Sequence, residues 1–256
     1  MNTVAQPKGS RAPSTSRRAP APGLVDLWKL PLELPVRLAG EMRELISADE
    51  RARAARFRHE RDAKRFVAGR GQLRRVLGHY LDLDPSRVAF SYGRFGRPSL
   101  ADPAVRPPLD FNLAHSDGLA LLAVTGGAAV GVDLERARPG FGGIDIARQF
   151  FAPGELRQLL ALPEARREAA FLRCWTRKEA YVKAHGAGLQ MALDSFEVPL
   201  SSARVQRLRW SRVPREVDRW SLLDVSALVA GYQAALVVAG NVRVRERSWD
   251  VEAGNA

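Results

Sequence analysis

The sequence predicts an α+β fold, and three observations carry that expectation. Helical and strand-like segments are mixed along the chain without a regular strand–helix–strand rhythm. The 256 residues are 46% apolar, enough to bury a large core as one big domain or two small ones. Gly126-Gly127 breaks the chain near its middle, separating an N-terminal half (residues 23–127) from a C-terminal half (residues 128–240).

Residues 1–22 are rich in Pro, Ser and Ala and poor in large apolar side chains, so they read as a disordered basic tail. Val25–Leu30 alternates weakly as a first strand, followed by the punctuation of Pro31 and Pro35. Ser47-Ala48-Asp49-Glu50 is a capping-box pattern that opens a helix through Arg56 or Phe57. A longer helix spans about Asp62–Leu81, with Val67, Leu73, Val76, Leu77 and Tyr80 as its apolar side and Asp84-Pro85 as its stop. Val88–Tyr92 is a short strand, and Gly93–Pro98 is a turn holding Arg94 and Arg97. Leu109, Phe111 and Leu113 alternate with polar residues, which brings Asn112 and His115 to a strand end. Leu119–Thr125 follows as another strand.

In the second half, Ala128–Leu134 reads as a buried strand running straight into acids. Pro153-Gly154-Glu155 begins a helix through Leu162, and Pro163 begins the next. Ser195–Val198, Val205–Val213, Trp220–Val225 and Ala234–Val238 are strand-like. Residues 241–256 are charged and are expected to form a peripheral tail.

Composition narrows the function classes. No apolar run approaches the roughly 18–20 residues that cross a bilayer, and the N-terminus lacks the apolar segment of a secretory signal. The single cysteine, Cys174, excludes an internal disulfide and a multi-cysteine metal site. A cytoplasmic protein is expected. The formal net charge of +12 attracts anions: nucleic acid, anionic lipid, a polyphosphate or an acidic protein. Much of it lies in the two first-half helices, among them Arg53, Arg70 and Arg74.

The chemistry concentrates in two stretches. Phe171–Leu189 (FLRCWTRKEAYVKAHGAGL) is a helix whose apolar face carries Phe171, Trp175, Ala180 and Val182, with Gly186 as its stop. Glu179 lies four residues after Trp175 and four before Lys183, so the three share one side. On its own, such a Glu–Lys pair is ordinarily a surface ion pair worth a few tenths of a kcal/mol. In GVDLE, Asp133 and Glu135 are two apart on a strand and share one face. Two acids at a strand end are ordinarily just solvated. With Glu179 added, the three acids form an oxygen-rich set suited to Mg²⁺ on a phosphate, and Lys183 supplies a fixed cation. His115-Ser116-Asp117 is no hydrolase triad, because such groups converge from separate places. His115 serves better as a donor to an anion, or simply as structure. Cys174 reads as core.

GVDLE together with Phe171–Leu189 resembles the two-domain, surfactin-synthetase-activating type of 4′-phosphopantetheinyl transferase. The residues in register with that pattern are Gly131, Asp133, Glu135, Phe171, Trp175, Thr176, Lys178, Glu179, Lys183, Gly186, Gly188 and Leu189. Weaker likenesses occur at Gly96–Pro98, Phe111–Ser116 and Arg148–Glu155. The resemblance covers about Leu24 to Val238. It implies two similar α/β halves related by a pseudo-twofold axis, with coenzyme A in the cleft between them.

By the same resemblance, Asp133, Glu135 and Glu179 would surround Mg²⁺, and the serine of an acyl or peptidyl carrier protein would attack the phosphate bearing pantetheine. Glu179 would take the serine proton, Lys183 would steady the leaving phosphate, and Lys178 would help hold the phosphates. Arg53, Arg70, Arg97 and His115 are the candidates for the coenzyme A 3′-phosphate. Ala114 stands where many relatives carry serine, Arg97 where lysine is commoner, and Glu50 near a position where some have lysine. A monomer is expected, with an acidic carrier protein as partner and neither nucleic acid nor membrane. The rival readings are a basic Mg²⁺-dependent nuclease and a non-catalytic carrier-protein or RNA-binding module. Neither accounts for the Trp175–Leu189 pattern.

Overall fold

The computed structural model describes residues 19–248, apart from 95, 103–107, 139–142 and 187. The expected tail is thus mostly outside the described residues, as are Phe95 of the Gly93–Pro98 turn and Ala187 of the long motif. In chain order the first half comprises β1 (Leu24–Pro31), α1 (Val36–Leu45), α2 (Ala48–Ala54), α3 (Glu60–Leu81), β2 (Phe90–Tyr92), β3 (Pro98–Leu100), β4 (Asp110–Ser116) and β5 (Leu119–Thr125). Then come β6 (Val130–Arg136), α4 (Gly143–Phe150), α5 (Pro153–Ala161), α6 (Glu164–His185), β7 (Phe196–Glu197), β8 (Val205–Gln206), β9 (Trp210–Ser211), β10 (Trp220–Asp224), β11 (Tyr232–Ala239) and β12 (Arg243–Ser248). Helices and sheets are mixed, as an α+β class requires.

Two four-stranded sheets form the body, ordered β12-β1-β5-β4 and β6-β11-β10-β8. Strand alternation sets the layers. On β1 and β5, Trp28, Leu30, Leu122 and Val124 pack with Leu73, Leu77 and Tyr80 of α3. The opposite-facing residues Val25, Leu27, Leu121 and Ala123 pack against Val132, Leu134, Leu236 and Val238 of the second sheet. The other face of that sheet, including Ala235 and Val237, packs on α6 through Phe171, Cys174 and Tyr181. The order of layers is therefore helix, sheet, sheet, helix, with α3 and α6 outermost.

One expectation about the chain's end is corrected. Residues 243–248 are not peripheral: they add to the edge of the first sheet as β12, parallel to β1, with Asp26 opposite Arg245 and Trp28 opposite Arg247. Val205–Val213 is not one strand: within it only β8 and β9 are regular.

Candidate active site

The site is set by how closely β6 lies on α6. A Cβ built on Gly131 would stand 2.1 Å from the Ala180 carbonyl oxygen and 2.4 Å from the Ala184 nitrogen, so only glycine permits this approach. Helix α6 ends at Gly186, whose φ of 79° suits a residue without Cβ and whose N–H donates to the Val182 carbonyl at 3.0 Å. Two residues along β6 from Gly131, Asp133 meets Lys183: Lys183 Nζ donates to Asp133 Oδ1 at 2.5 Å. Asp133 is buried, and among the described residues its second oxygen, Oδ2, has no hydrogen-bond partner. Burial pushes its carboxyl up to about 7, against the pull of Lys183, and the charges of Glu135 and Glu179 add to the rise.

Glu135 lies on the same face of β6 and is half-buried. Its carboxyl is also raised, first by burial, then opposed by the hydroxyl of Ser116, which donates to Glu135 Oε2 at 3.2 Å. Glu179 raises both neighbours' values through its charge, so three carboxylates from β6 and α6 act on one another. Beside them opens a cavity of about 780 Å³ whose walls include Arg97, Asn112, Phe150, Glu179, Lys183 and Met191. His115, near the end of β4, is near enough to Lys183 to feel its charge. Partial loss of water, then the charges of Lys183 and Arg65, hold its imidazole below the usual value.

Sequence reasoning missed the joints between the two sheets. Asn112 is buried and its Oδ1 accepts from the Val132 N–H at 2.9 Å, tying β4 to β6. Ser116 Oγ also accepts from the Arg136 N–H at 3.2 Å. The turn Asp117-Gly118, with Asp117 at φ 49°, aims Ser116 back toward β6. A polar residue alternating inward on a strand was the available signal at Asn112.

Several expected phosphate ligands have other duties. Lys178 is fully buried, and its ammonium donates to Glu155 at 2.8 Å and to the carbonyls of Leu193 and Phe196 at 2.7 and 2.8 Å. Three acceptors use all three of its N–H donors, so Lys178 is corrected from a phosphate contact to an internal tie. Arg70 is buried against Glu50 and donates to the Tyr92 hydroxyl at 2.8 Å. Glu50 also receives Arg74 at 2.7 Å, which leaves these arginines committed to holding α2 on α3. Arg53 is exposed, lies 5.2 Å over the Phe66 ring, and does not line the cavity. Arg97 does line it.

For a divalent ion, the donor chemistry fits: carboxylate oxygens only, with Asp133 Oδ2 buried and unpartnered. Among the described residues, however, no three His, Cys, Asp or Glu side chains stand as a ready-made cage, and the Lys183 ammonium holds Asp133 Oδ1.

Acids that act on one another, beside a fixed ammonium and a cavity lined from both halves of the chain, suit phosphate chemistry. Residues 129–237 match the family described as the 4′-phosphopantetheinyl transferase superfamily, and residues 39–126 match that described as 4′-phosphopantetheinyl transferase, N-terminal. The chain belongs to the 4′-phosphopantetheinyl transferase superfamily. It is 39% identical over 201 residues to 4′-phosphopantetheinyl transferase HetI of Nostoc sp., covering 78% of this chain and 82% of that one. It is also 35% identical over 165 residues to a 4′-phosphopantetheinyl transferase of Bacillus subtilis, covering 63% and 71%. With 4′-phosphopantetheinyl transferase Sfp of Bacillus subtilis strain 168 it shares 34% identity over 155 residues, covering 60% and 66%.

Proposed function

We propose that this chain transfers the 4′-phosphopantetheine group of coenzyme A to a serine hydroxyl of an apo acyl or peptidyl carrier protein. The observation that carries the reading is the meeting of Asp133 and Lys183 at 2.5 Å beside Glu135 and Glu179, with one Asp133 oxygen left unpartnered. In the reaction the serine oxygen forms a bond to the phosphorus that bears pantetheine. The bond from that phosphorus to the bridging oxygen breaks, and adenosine 3′,5′-bisphosphate leaves.

A serine hydroxyl is a weak nucleophile at neutral pH and needs a base within hydrogen-bond reach. Glu179, at the cavity wall, takes that proton, directly or through water. Lys183 reaches the same space and meets the negative charge that grows on the leaving oxygen. Asp133, Glu135 and Glu179 would hold Mg²⁺, which when bound neutralises the diphosphate and makes its phosphorus more open to attack. Of the four first-half candidates, His115, which feels the charge of Lys183, is kept for the 3′-phosphate, while Arg97 lines the cavity and contributes positive field as it braces the wall.

The two halves are read as related by a pseudo-twofold axis. In support, each runs strand, helices, then hairpin; the first strand pairs with the hairpin's second strand, giving β1-β5-β4 and β6-β11-β10. A 22-residue helix covers each sheet. The net charge of +12 suits an acidic carrier partner, because opposite charge speeds encounter. The protein is read as a cytoplasmic monomer, and no described helix is long and apolar enough to cross a membrane.

The test is incubation with coenzyme A, Mg²⁺ and a panel of apo carrier proteins, followed by intact mass of the carrier. A gain the size of phosphopantetheine is expected, lost in Asp133→Ala and in Glu179→Ala. A folded protein that gives no gain with any carrier, yet cuts DNA, would overturn the reading in favour of a nuclease.

A further inference from the structure

A second cavity, of about 440 Å³, lies at the edge of the first sheet where β1, β12 and the C-terminal end of α3 meet. It shares no lining residue with the cavity at Lys183. Its charged groups come from the parallel register of β12 on β1, and period two sends Arg245 and Arg247 to one face.

Arg245 is already committed. Its Nε and Nη2 donate to the two oxygens of the fully buried Asp26 at 2.7 and 2.9 Å. Tyr80 donates its hydroxyl proton to the same carboxylate at 2.5 Å, and Trp28 Nε1 donates to the Tyr80 oxygen at 2.9 Å. One carboxylate is thereby matched by one guanidinium. Among the described residues, Arg247 is the charge left over. Its guanidinium carbon lies 5.2 Å over the Trp28 ring, which fixes its orientation, and among the described residues its buried Nε has no hydrogen-bond partner. Among the described residues no carboxylate forms an ion pair with it. A fixed cation with an unused buried donor is costly unless an acceptor reaches it.

We propose that Arg247, lining this cavity beside Arg245 and Tyr80, is the anchor of a second binding site, one that takes a phosphate-type oxyanion. A guanidinium offers parallel N–H donors that match two oxygens of a phosphate, and stacking on Trp28 removes most of the entropy cost of aiming them. The cavity is larger than one phosphate group, so a phosphate monoester with a small substituent also fits. The site is independent of the transfer reaction proposed above.

The probe is inorganic phosphate, titrated into the full chain at constant ionic strength while the Arg247 Nε–Hε resonance is followed by NMR. Saturating coenzyme A, and separately the Lys183→Met variant, keep phosphate binding at the first cavity out of the readout. A saturable shift is expected in both settings. Arg247→Met should weaken binding at least about tenfold, as expected for loss of a charge-assisted pair, with carrier-protein turnover unchanged. Arg247→Lys keeps the charge without the fork and should fall between the two, which guards against a methionine variant that fails to fold. Glycerol phosphate, and vesicles of phosphatidylcholine with phosphatidic acid, separate a soluble ester from a lipid headgroup as the source of the oxyanion. No saturable shift with phosphate, or an equal shift in Arg247→Met, overturns the proposal.

Discussion

The guanidinium of Arg97, in the first half, donates to the main-chain carbonyl of Lys183, in the second, at 2.6 Å. Its other arm reaches Asp110 Oδ1 at 2.9 Å and the carbonyls of Phe111 and Val130 at 3.2 and 3.3 Å. One side chain thus fixes the last turn of α6 against β4 and β6, and with it the position of the Lys183 ammonium.

Removing Arg97 therefore tests bracing against nucleotide binding. Burial holds the Asp110 carboxyl above its usual range, and the charge of Arg97 is what most opposes that rise. Arg97→Ala leaves Asp110 without its cation and strips four acceptors of a donor. The site is partly open to water, so the expected loss is about 1–3 kcal/mol in urea unfolding. Turnover should fall more than about tenfold as Lys183 loses its register. Arg97→Lys keeps charge but cannot span the same acceptors, and recovers only part of each. Full stability with only a raised KM for coenzyme A would show that Arg97 serves the nucleotide instead.

Asp133 makes a prediction with a definite sign. Its carboxyl titrates near 7 in the fold against an ordinary value of 3.8, chiefly because it is buried. Below about pH 4 it is protonated in both folded and unfolded chains and costs nothing. Between about pH 4 and 7 the unfolded chain releases the proton first, so stability falls as pH rises, and above 7 the cost levels off on the order of 4 kcal/mol. Asp133→Asn should then be more stable than the parent at pH 8 and nearly equal to it at pH 4, while losing activity at both. Urea midpoints at the two pH values decide it; an equal difference at both would refute the assignment.

The strongest local signals lie in the residue pattern itself. The alternation of β1 and β4, the apolar runs of β5 and β6, the length of α3 and the glycine stop of α6 are all present in the residue pattern. So is the pairing of Asp133 with Glu135, because period two is a purely local property. β12 was not legible. Arg243–Ser248 (RVRERS) carries a single apolar residue, Val244, and its partner strand lies 219 residues away at the Asp26–Arg245 pair. Lys178 was misread although a signal existed. Phe171, Cys174, Lys178 and Tyr181 follow helical spacing, and all four are buried, so the lysine lies on the inward face. The family resemblance drew it toward the phosphates. Helix α1 buries only Leu38 and Met42, too few apolar positions to stand out after Pro35.

That inward lysine gives the next prediction. Lys178 and Glu155 form a fully buried pair, and Glu155 also accepts from the N–H groups of Ala152 and Val198 at 2.9 and 2.7 Å. Lys178→Met leaves a buried carboxylate without its cation and should cost about 3–5 kcal/mol. Adding Glu155→Gln should restore part of that loss, since an amide needs no counter-charge. Whatever fraction stays folded should bind coenzyme A as the parent does, measured as KM at a temperature where circular dichroism shows native structure. A tenfold rise in KM with an unchanged melting temperature would return Lys178 to the phosphates.

Gly131 is where fold and chemistry are most tightly joined. The atoms a Cβ would strike, the Ala180 oxygen and the Ala184 nitrogen, belong to the backbone of α6 and cannot rotate away. Gly131→Ala must therefore push β6 and α6 apart, and overpacking of this kind costs about 1–3 kcal/mol or more. Because Asp133 and Lys183 meet two residues further along the same contact, their separation should grow with that shift. Gly40→Ala is the matched control: Gly40 lies inside exposed α1, with nothing within 4 Å of its would-be Cβ, and should gain about 0.5–1 kcal/mol. If activity follows only the lost fraction of folded protein in Gly131→Ala, the glycine serves packing alone. If the fully folded variant, at low temperature, still turns over at least about tenfold more slowly, then the spacing of strand and helix sets the geometry of the acid–lysine pair.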